Sequence, residues 1–394
     1  MGTEVSVIIP SYNRYPLNLL ALDSLAIQTF DPSKMEVIFI DDGSTDETKN
    51  ILKMYYPPFS FQYIRTSNKG RSKARNLGIK KAKGKIIIFL DAEMIVNPDF
   101  VEKHYTYHQT HPNGVLTGEL GFHTLYSFAF PELNSNQLAQ LEDLINQSPI
   151  YMKKFNTFIE TRRPVQLIDK NDLHSQAFRK LSFFSQSELD KKTIELFGED
   201  LKQFQTPWMA FVTANVSVRK SLLQLSGYFD ESFRGWGFED WELGFRLYQY
   251  GATFAYRRDI AGYHQEHPIS NDSNWESSLT NFWLFQKKHK SIDVLAIVFI
   301  LLGLYDRLDV HYILKEFKTL KVKYPNQFSS YRYSIRALLN TALDLMKDGE
   351  PVKNLTTLSG LEQQLQTILT EQDTIKSLEA YPNLVKAFDD LTSL

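Results

Sequence analysis

Glu36-Val37-Ile38-Phe39-Ile40 runs without a break into Asp41-Asp42-Gly43-Ser44-Thr45-Asp46. Apolar residues without alternation describe a strand covered on both faces, and Asp-Asp-Gly-Ser is a turn. Ser44 or Thr45 caps the helix that follows, with Glu47 in its first turn. The same pattern repeats on either side. Upstream, Val5-Ser6-Val7-Ile8-Ile9-Pro10 is a second buried strand, and Leu17, Leu20, Ala21, Ser24 and Leu25 then recur at helical spacing. Downstream, a strand is predicted over 61–64, a helix over 72–82 and a strand over 85–90 that ends on Asp91. Buried strands alternating with helices imply an α/β fold whose central sheet is mostly parallel and flanked by helices. Ligands of such sheets bind beyond the carboxyl ends of the strands, where Asp41, Asp42, Asp91 and Glu93 all fall.

Further along, the pattern loosens. Residues 122–206 are rich in Asn, Gln, Ser, Lys and Glu, and read as helices and loops inserted at one edge of the sheet on the acceptor side. Sheet-like signal returns at Ala210-Phe211-Val212-Thr213. Helices are predicted over 219–225 and 238–250, the latter stopped by Gly251, and a short strand over 254–256. The catalytic domain is therefore expected to span 1–273, with a helical region over 274–394. The longest apolar run, Val294–Tyr305, has 12 residues, against the roughly 20 needed to cross a bilayer. It is expected to form a helix that packs within the chain, with dimerisation or contact with a membrane surface as alternatives.

Composition narrows the function classes. Hydrophobic residues at 43% and charged residues at 23% are globular values, which argues against disorder or a fibrous repeat. The absence of cysteine removes disulfides, thiolate zinc sites and cysteine nucleophiles. A net charge of −2 argues against a general nucleic-acid binder. Met1-Gly2-Thr3-Glu4 leads straight into a strand with no basic flank, so no signal peptide is expected. The expected location is cytoplasmic, at most against the inner face of the membrane.

The candidate chemistry lies at the strand ends. Asp91-Ala92-Glu93 places two carboxylates, one residue apart, just after a buried strand, where they can hold a divalent cation against phosphate oxygens. Residues 65–85 contain nine Lys or Arg and no acid. Lys80, Lys81, Lys83 and Lys85 read as a solvated face, and Arg75 and Asn76 as residues that pack on the sheet or fix the loop. Asn68-Lys69-Gly70-Arg71 differs, because Gly70 lets backbone approach a ligand and Arg71 reaches a diphosphate from the start of a helix. Gly235-Trp236-Gly237 reads as a bendable loop presenting an aromatic face. Glu239 and Asp240 open the next helix, and Glu242 reads as structural. His264, in Tyr263-His264-Gln265-Glu266, is a candidate third metal ligand.

In this order, the motifs resemble the inverting, nucleotide-sugar-dependent glycosyltransferases of family two, with the Rossmann-like GT-A fold. Over about residues 4–270 the resemblance rests on Val-Ile-Ile-Pro-Ser-Tyr-Asn-Arg, Asp-Asp-Gly-Ser-Thr-Asp, Asn-Lys-Gly-Arg, Ala-Arg-Asn-Leu-Gly and Phe-Leu-Asp-Ala-Glu. Gly-Trp-Gly-Phe-Glu-Asp-Trp-Glu-Leu and Tyr-His-Gln-Glu look like the galactosyltransferase-type second half of chondroitin-polymerase and polypeptide N-acetylgalactosaminyltransferase relatives. The resemblance implies that Pro10 and Tyr12 line the nucleobase and ribose, in an element that also brings Arg14 to the donor. Asp42, with Asp41, would bond the uracil. Asn68, Gly70 and Arg71 would meet the base or diphosphate. Asp91 would touch the ribose or the metal, and Glu93 and His264 would bind Mn²⁺ or Mg²⁺. Trp236 and Glu239 would face the donor sugar, and Asp240 would be the general base, with Glu239 as the alternative. Where the family usually shows Asp-x-Asp or Asp-x-His, this chain has Glu93, one methylene longer.

The expected reaction is transfer of a hexose or N-acetylhexosamine from a UDP-sugar to a glycan hydroxyl, in glycan or polysaccharide biosynthesis. A lipid-linked, peptide or protein acceptor is the alternative, and a catalytically silent sugar- or peptide-binding module the second. A sugar nucleotidyltransferase is disfavoured, because Pro10-Ser11-Tyr12-Asn13 stands where a Gly-rich basic loop would be needed. No nucleic-acid partner is expected. Homodimerisation is placed in the helical region, and membrane contact is at most peripheral.

Overall fold

The computed structural model describes residues 2–118, 122–268 and 274–394. The four strands read from the first ninety residues form within a residue or so of their expected bounds. They are β1 (Val5–Ser11), β2 (Met35–Asp41), β3 (Ser60–Arg65) and β4 (Ile86–Leu90). After them come β5 (Met94–Val96), β6 (Gly114–Thr117), β7 (Phe122–Leu125), β8 (Phe128–Ala129), β9 (Val165–Gln166) and β10 (Ser182–Ser185). The last described strands are β11 (Asn215–Arg219), β12 (Thr253–Tyr256) and β13 (Gly262–Gln265).

The main sheet has seven strands in the order β12-β6-β11-β4-β1-β2-β3. β1 lies parallel between β2 and β4, and β3 continues the parallel set. β11 runs antiparallel to both β4 and β6, so the sheet is mixed. The unbroken apolar strands are explained by cover on both faces. Val7 and Ile9 face a core with Leu22, Leu25 and Phe100, while Ile8 faces the opposite one with Ala74 and Ile79. The helix Arg71–Lys81 sits close on β1 because Gly78 has no side chain. A Cβ there would stand 2.4 Å from Ile8 Cγ2.

Three expectations are corrected. Ala210–Thr213 is not a strand. Pro207 starts a 3-10 turn over Pro207–Ala210, and strand β11 begins only at Asn215. The apolar run instead plugs the core, with Trp208 and Phe211 buried and Trp208 edge-on to Phe245 at 5.3 Å. The 122–206 segment is not only helices and loops. Its strands β7 and β10 join β13 and β5 in a second sheet, ordered β10-β7-β13-β5. Lastly, Val294–Tyr305 is not one helix but two short ones, Ile292–Leu295 and Val298–Leu301. Val294 through Phe299 are buried within the chain. The sheet face and the C-terminal helices share one continuous hydrophobic core. Among the described residues no helix is long and apolar enough to cross a membrane.

Candidate active site

In register, Ser11 pairs with Asp41 and Asp41 with Arg65, so β1, β2 and β3 end level at one edge. The loops there are fastened to one another by the expected acids. Asp41 is buried, and its carboxylate accepts from Tyr63 Oη (2.5 Å), Arg65 Nη1 (3.1 Å) and Ser44 N (2.8 Å). With those bonds made inside the protein, Asp41 braces the 41–46 loop from beneath, and its carboxylate is turned inward. Asp42 accepts from Lys69 N (2.7 Å), Gly70 N (2.8 Å) and the Thr66 hydroxyl. It thereby sets the loop that starts the Arg71 helix. Asn13, in the left-handed region, receives Thr45 N on its side chain at 2.8 Å and gives its own N–H to Ser44 Oγ at 3.0 Å. Pro10 and the exposed Tyr12 stand at the head of β1 beside this network.

A second cluster lies past β4. His264 on β13 pairs in register with Met94 on β5, which brings it to the residue before, Glu93. Gln265 locks the junction, its backbone and side-chain N–H groups both donating to Glu93 O at 3.1 Å. Glu93 Oε1 lies 4.0 Å from His264 Nε2 and 3.4 Å from Arg14 Nε. Burial works to raise the Glu93 carboxyl, but Arg14, His264 and His267 outweigh it and hold it below its usual range. Asp91 goes the other way. Burial and then the Glu93 charge raise it, against Arg75, Arg71 and His264.

Arg75 packs inward, as its reading had it, but its charged partners lie far away in the chain. It is 3% exposed. Its Nη1 donates to Glu239 Oε1 at 2.9 Å, and its Nη2 stands 3.6 Å from Asp91 Oδ1. One buried guanidinium therefore joins the strand-end acid to the head of the Glu239–Gln249 helix. Its signal in the sequence was a cation on the buried face of a helix. Asp240, next to Glu239, is pushed up to about 7 by burial and then by the Glu239 charge, with Arg75 opposing. Glu242 points away from this cleft into an ion-pair network, as the structural reading held. Trp236 is 47% exposed beside the same helix.

The expected metal set is two carboxylates and an imidazole, a donor chemistry that suits a hard divalent cation. Glu93 and His264 approach each other, whereas Asp91 turns to Arg75. Among the described residues no three His, Asp or Glu side chains stand close enough together to hold an ion as placed.

Comparison with known proteins identifies the architecture. The family described as Glycosyl transferase family 2 matches residues 6–162, and Glycosyltransferase like family 2 matches residues 134–282. An uncharacterized glycosyltransferase of Bacillus subtilis, YfnE, is 34% identical over 293 residues, covering 73% of this chain and 71% of its own. The chain belongs to glycosyltransferase family 2. A validoxylamine A glucosyltransferase of Streptomyces hygroscopicus subsp. limoneus is 29% identical over 73% of this chain, and the match spans 57% of that protein. Chondroitin synthase of Escherichia coli is 28% identical over 67% of the chain, a match spanning 35% of its length. Residues 1–349 of S. aureus TarS, solved with UDP-GlcNAc, share the fold at a TM-score of 0.52 and 16% identity, over 99% of this chain and 90% of that one.

Proposed function

We propose that this cleft transfers a hexose or N-acetylhexosamine from a UDP-sugar to an acceptor hydroxyl, with inversion, in glycan or polysaccharide biosynthesis. The observation that carries the reading is Asp240, a carboxylate poised at about 7 and joined through Glu239 and Arg75 to the strand-end Asp91. A base tuned near neutral pH is what deprotonation of a hydroxyl nucleophile needs. The acceptor oxygen attacks the anomeric carbon from the face opposite the diphosphate. Asp240 takes its proton, and the bond to UDP breaks with its electron pair leaving on the diphosphate. Arg71, exposed at the head of its helix, and Arg14 face the charge that builds there. Tyr12 and Pro10 would line the base and ribose, Asp42 and the Asn68–Gly70 backbone would close over the nucleotide, and Trp236 would face the sugar. Mn²⁺ or Mg²⁺ would be held by Glu93 and His264 with Asp91 alongside, and would neutralise charge on the diphosphate.

The chondroitin synthase relative supports a glycan-type acceptor, and the UDP-GlcNAc carried by the TarS neighbour supports a uridine donor. A lipid-linked acceptor would bring the protein to the membrane surface through its substrate, and pairing of the helical regions would be compatible with either location. The test is a donor screen. The purified protein is incubated with UDP-, GDP- and dTDP-sugars, with Mn²⁺, Mg²⁺ or EDTA, and released nucleoside diphosphate is measured. UDP release from one UDP-sugar that EDTA abolishes is the expected result. Absence of release together with absence of UDP binding by calorimetry would make the chain a silent module.

A further inference from the structure

The first helix of the C-terminal region, Asn274–His289, reaches back over the loop that leads into the Asp240 helix. Asn281 is 4% exposed and commits its whole side chain to that loop. Its Nδ2 donates to the carbonyls of Arg234 and Gly237, both at 2.9 Å, and approaches Trp236 O at 3.4 Å. Its Oδ1 accepts from Arg234 N at 3.3 Å. One turn earlier, Ser277 Oγ accepts from Trp236 N at 3.2 Å and donates to Trp236 O at 3.3 Å. The flanking glycines serve this contact. Gly235 and Gly237 have φ of +73° and +101°, and a Cβ on them would stand 2.8 Å from Ser277 Cβ and 2.9 Å from Ser278 Oγ. The Gly-Trp-Gly loop is therefore pinned, not bendable. Farther along the same helix, Lys288 and His289 grip Glu242, so the Asp240 helix is held both at the loop before it and within its first turn.

We propose that Asn281 is a positioning residue for transfer, acting through the 234–237 backbone to hold Trp236 and the helix head bearing Asp240 in register with Asp91. The C-terminal helical region is then part of the active site. The location of the bonds argues for positioning over plain structural support. Arg234, Gly235 and Trp236 are exposed and Gly237 is half-buried, so the loop is a surface segment, and removing the amide should cost less than orphaning polar groups in a core. The geometry of the loop rests on those bonds, and misplacement of reacting groups by about 1 Å can cost ~10²-fold in rate.

This inference rests on the transferase reading, and its test separates the two. In Asn281→Ala, kcat is expected to fall ~10–100-fold, while UDP affinity by calorimetry stays within about twofold. Amide hydrogen exchange at 234–238 should accelerate, with a thermal midpoint close to wild type. Ser277→Ala, which removes one pair of bonds, should show the same pattern in weaker form. Asn281→Asp keeps an acceptor for Arg234 N but loses both donors, and should not rescue turnover. Unchanged turnover in Asn281→Ala, or turnover and UDP affinity falling by the same factor, overturns the proposal. Should the wild-type protein use no UDP-sugar, the transferase reading fails by itself. Exchange at 234–238 still decides the clamp, and unaltered exchange in Asn281→Ala refutes it.

Discussion

Asp240→Asn is expected to bind UDP as the wild type does and to lose turnover by ~10²–10⁴-fold, the range of a general base. The amide keeps the volume of the carboxylate and its contact with Trp241 N, at 2.8 Å from Asp240 Oδ1, but cannot take the acceptor proton. The pH profile gives a second readout. Burial, and then the neighbouring Glu239, raise Asp240 to about 7. A base works only when deprotonated, so wild-type turnover should climb through neutral pH and level off above it. It should fall as the pH drops and Asp240 takes up a proton. In Asp240→Asn that limb should vanish and the residual rate should be flat across neutrality. Calorimetry with UDP and initial rates across neutral pH measure both. A loss of UDP affinity matching the loss of turnover would instead assign Asp240 to the donor site.

Glu242→Ala should cost about 3–5 kcal/mol of stability, the range for breaking one side of a buried ion pair. The Glu242 side chain is 0% exposed. It accepts from Arg246 Nη2 (2.7 Å), Lys288 Nζ (2.6 Å) and His289 Nε2 (2.9 Å). Burial works to raise its carboxyl, but His289, Arg246 and Lys288 overcome that and bring it to about 2, below its ordinary 4.5. A carboxyl depressed in the folded state stabilises the fold fully above its unfolded value, and that contribution drains away as pH falls through the folded one. The effect of Glu242→Ala should therefore be full at neutral pH and shrink below about 4.5. Denaturant unfolding of both proteins at neutral and acid pH measures it. A neutral-pH loss below about 1 kcal/mol would mark the pair as a solvated one.

The parts of this molecule that could be read from its sequence are those whose surroundings are local. β1, β2 and β4 declare themselves because both faces of the sheet are covered, which leaves only apolar residues between their turns. Asp42 and Asp91 stand out because an acid at the end of such a strand has no core to enter. Arg75 could be read as a packing residue, but not the link it makes, because its partner Glu239 lies 164 residues away. Only the folded chain shows which acids this buried cation joins. Asn281 and Ser277 were silent for the same reason, lying on a polar helix that declares its partner only where it docks. The Ala210–Thr213 run misled because a buried plug and a buried strand share one composition, and the arbiter was Pro207 ahead of it. Gly235 and Gly237 suggested freedom of movement, where the structure shows close packing against Ser277 and Ser278.

The stereochemistry of transfer is the most direct test of the central claim. With the UDP-sugar that the donor screen selects, proton NMR can follow the anomeric signal of the transferred sugar, and where water serves as acceptor the first-formed free sugar is read before it mutarotates. Attack from the face opposite the diphosphate predicts that an α-linked donor gives a β-configured product, with the large anomeric coupling constant of that geometry in a gluco- or galacto-configured sugar. An α-configured first product would contradict the account, because a single displacement assisted by Asp240 cannot retain configuration.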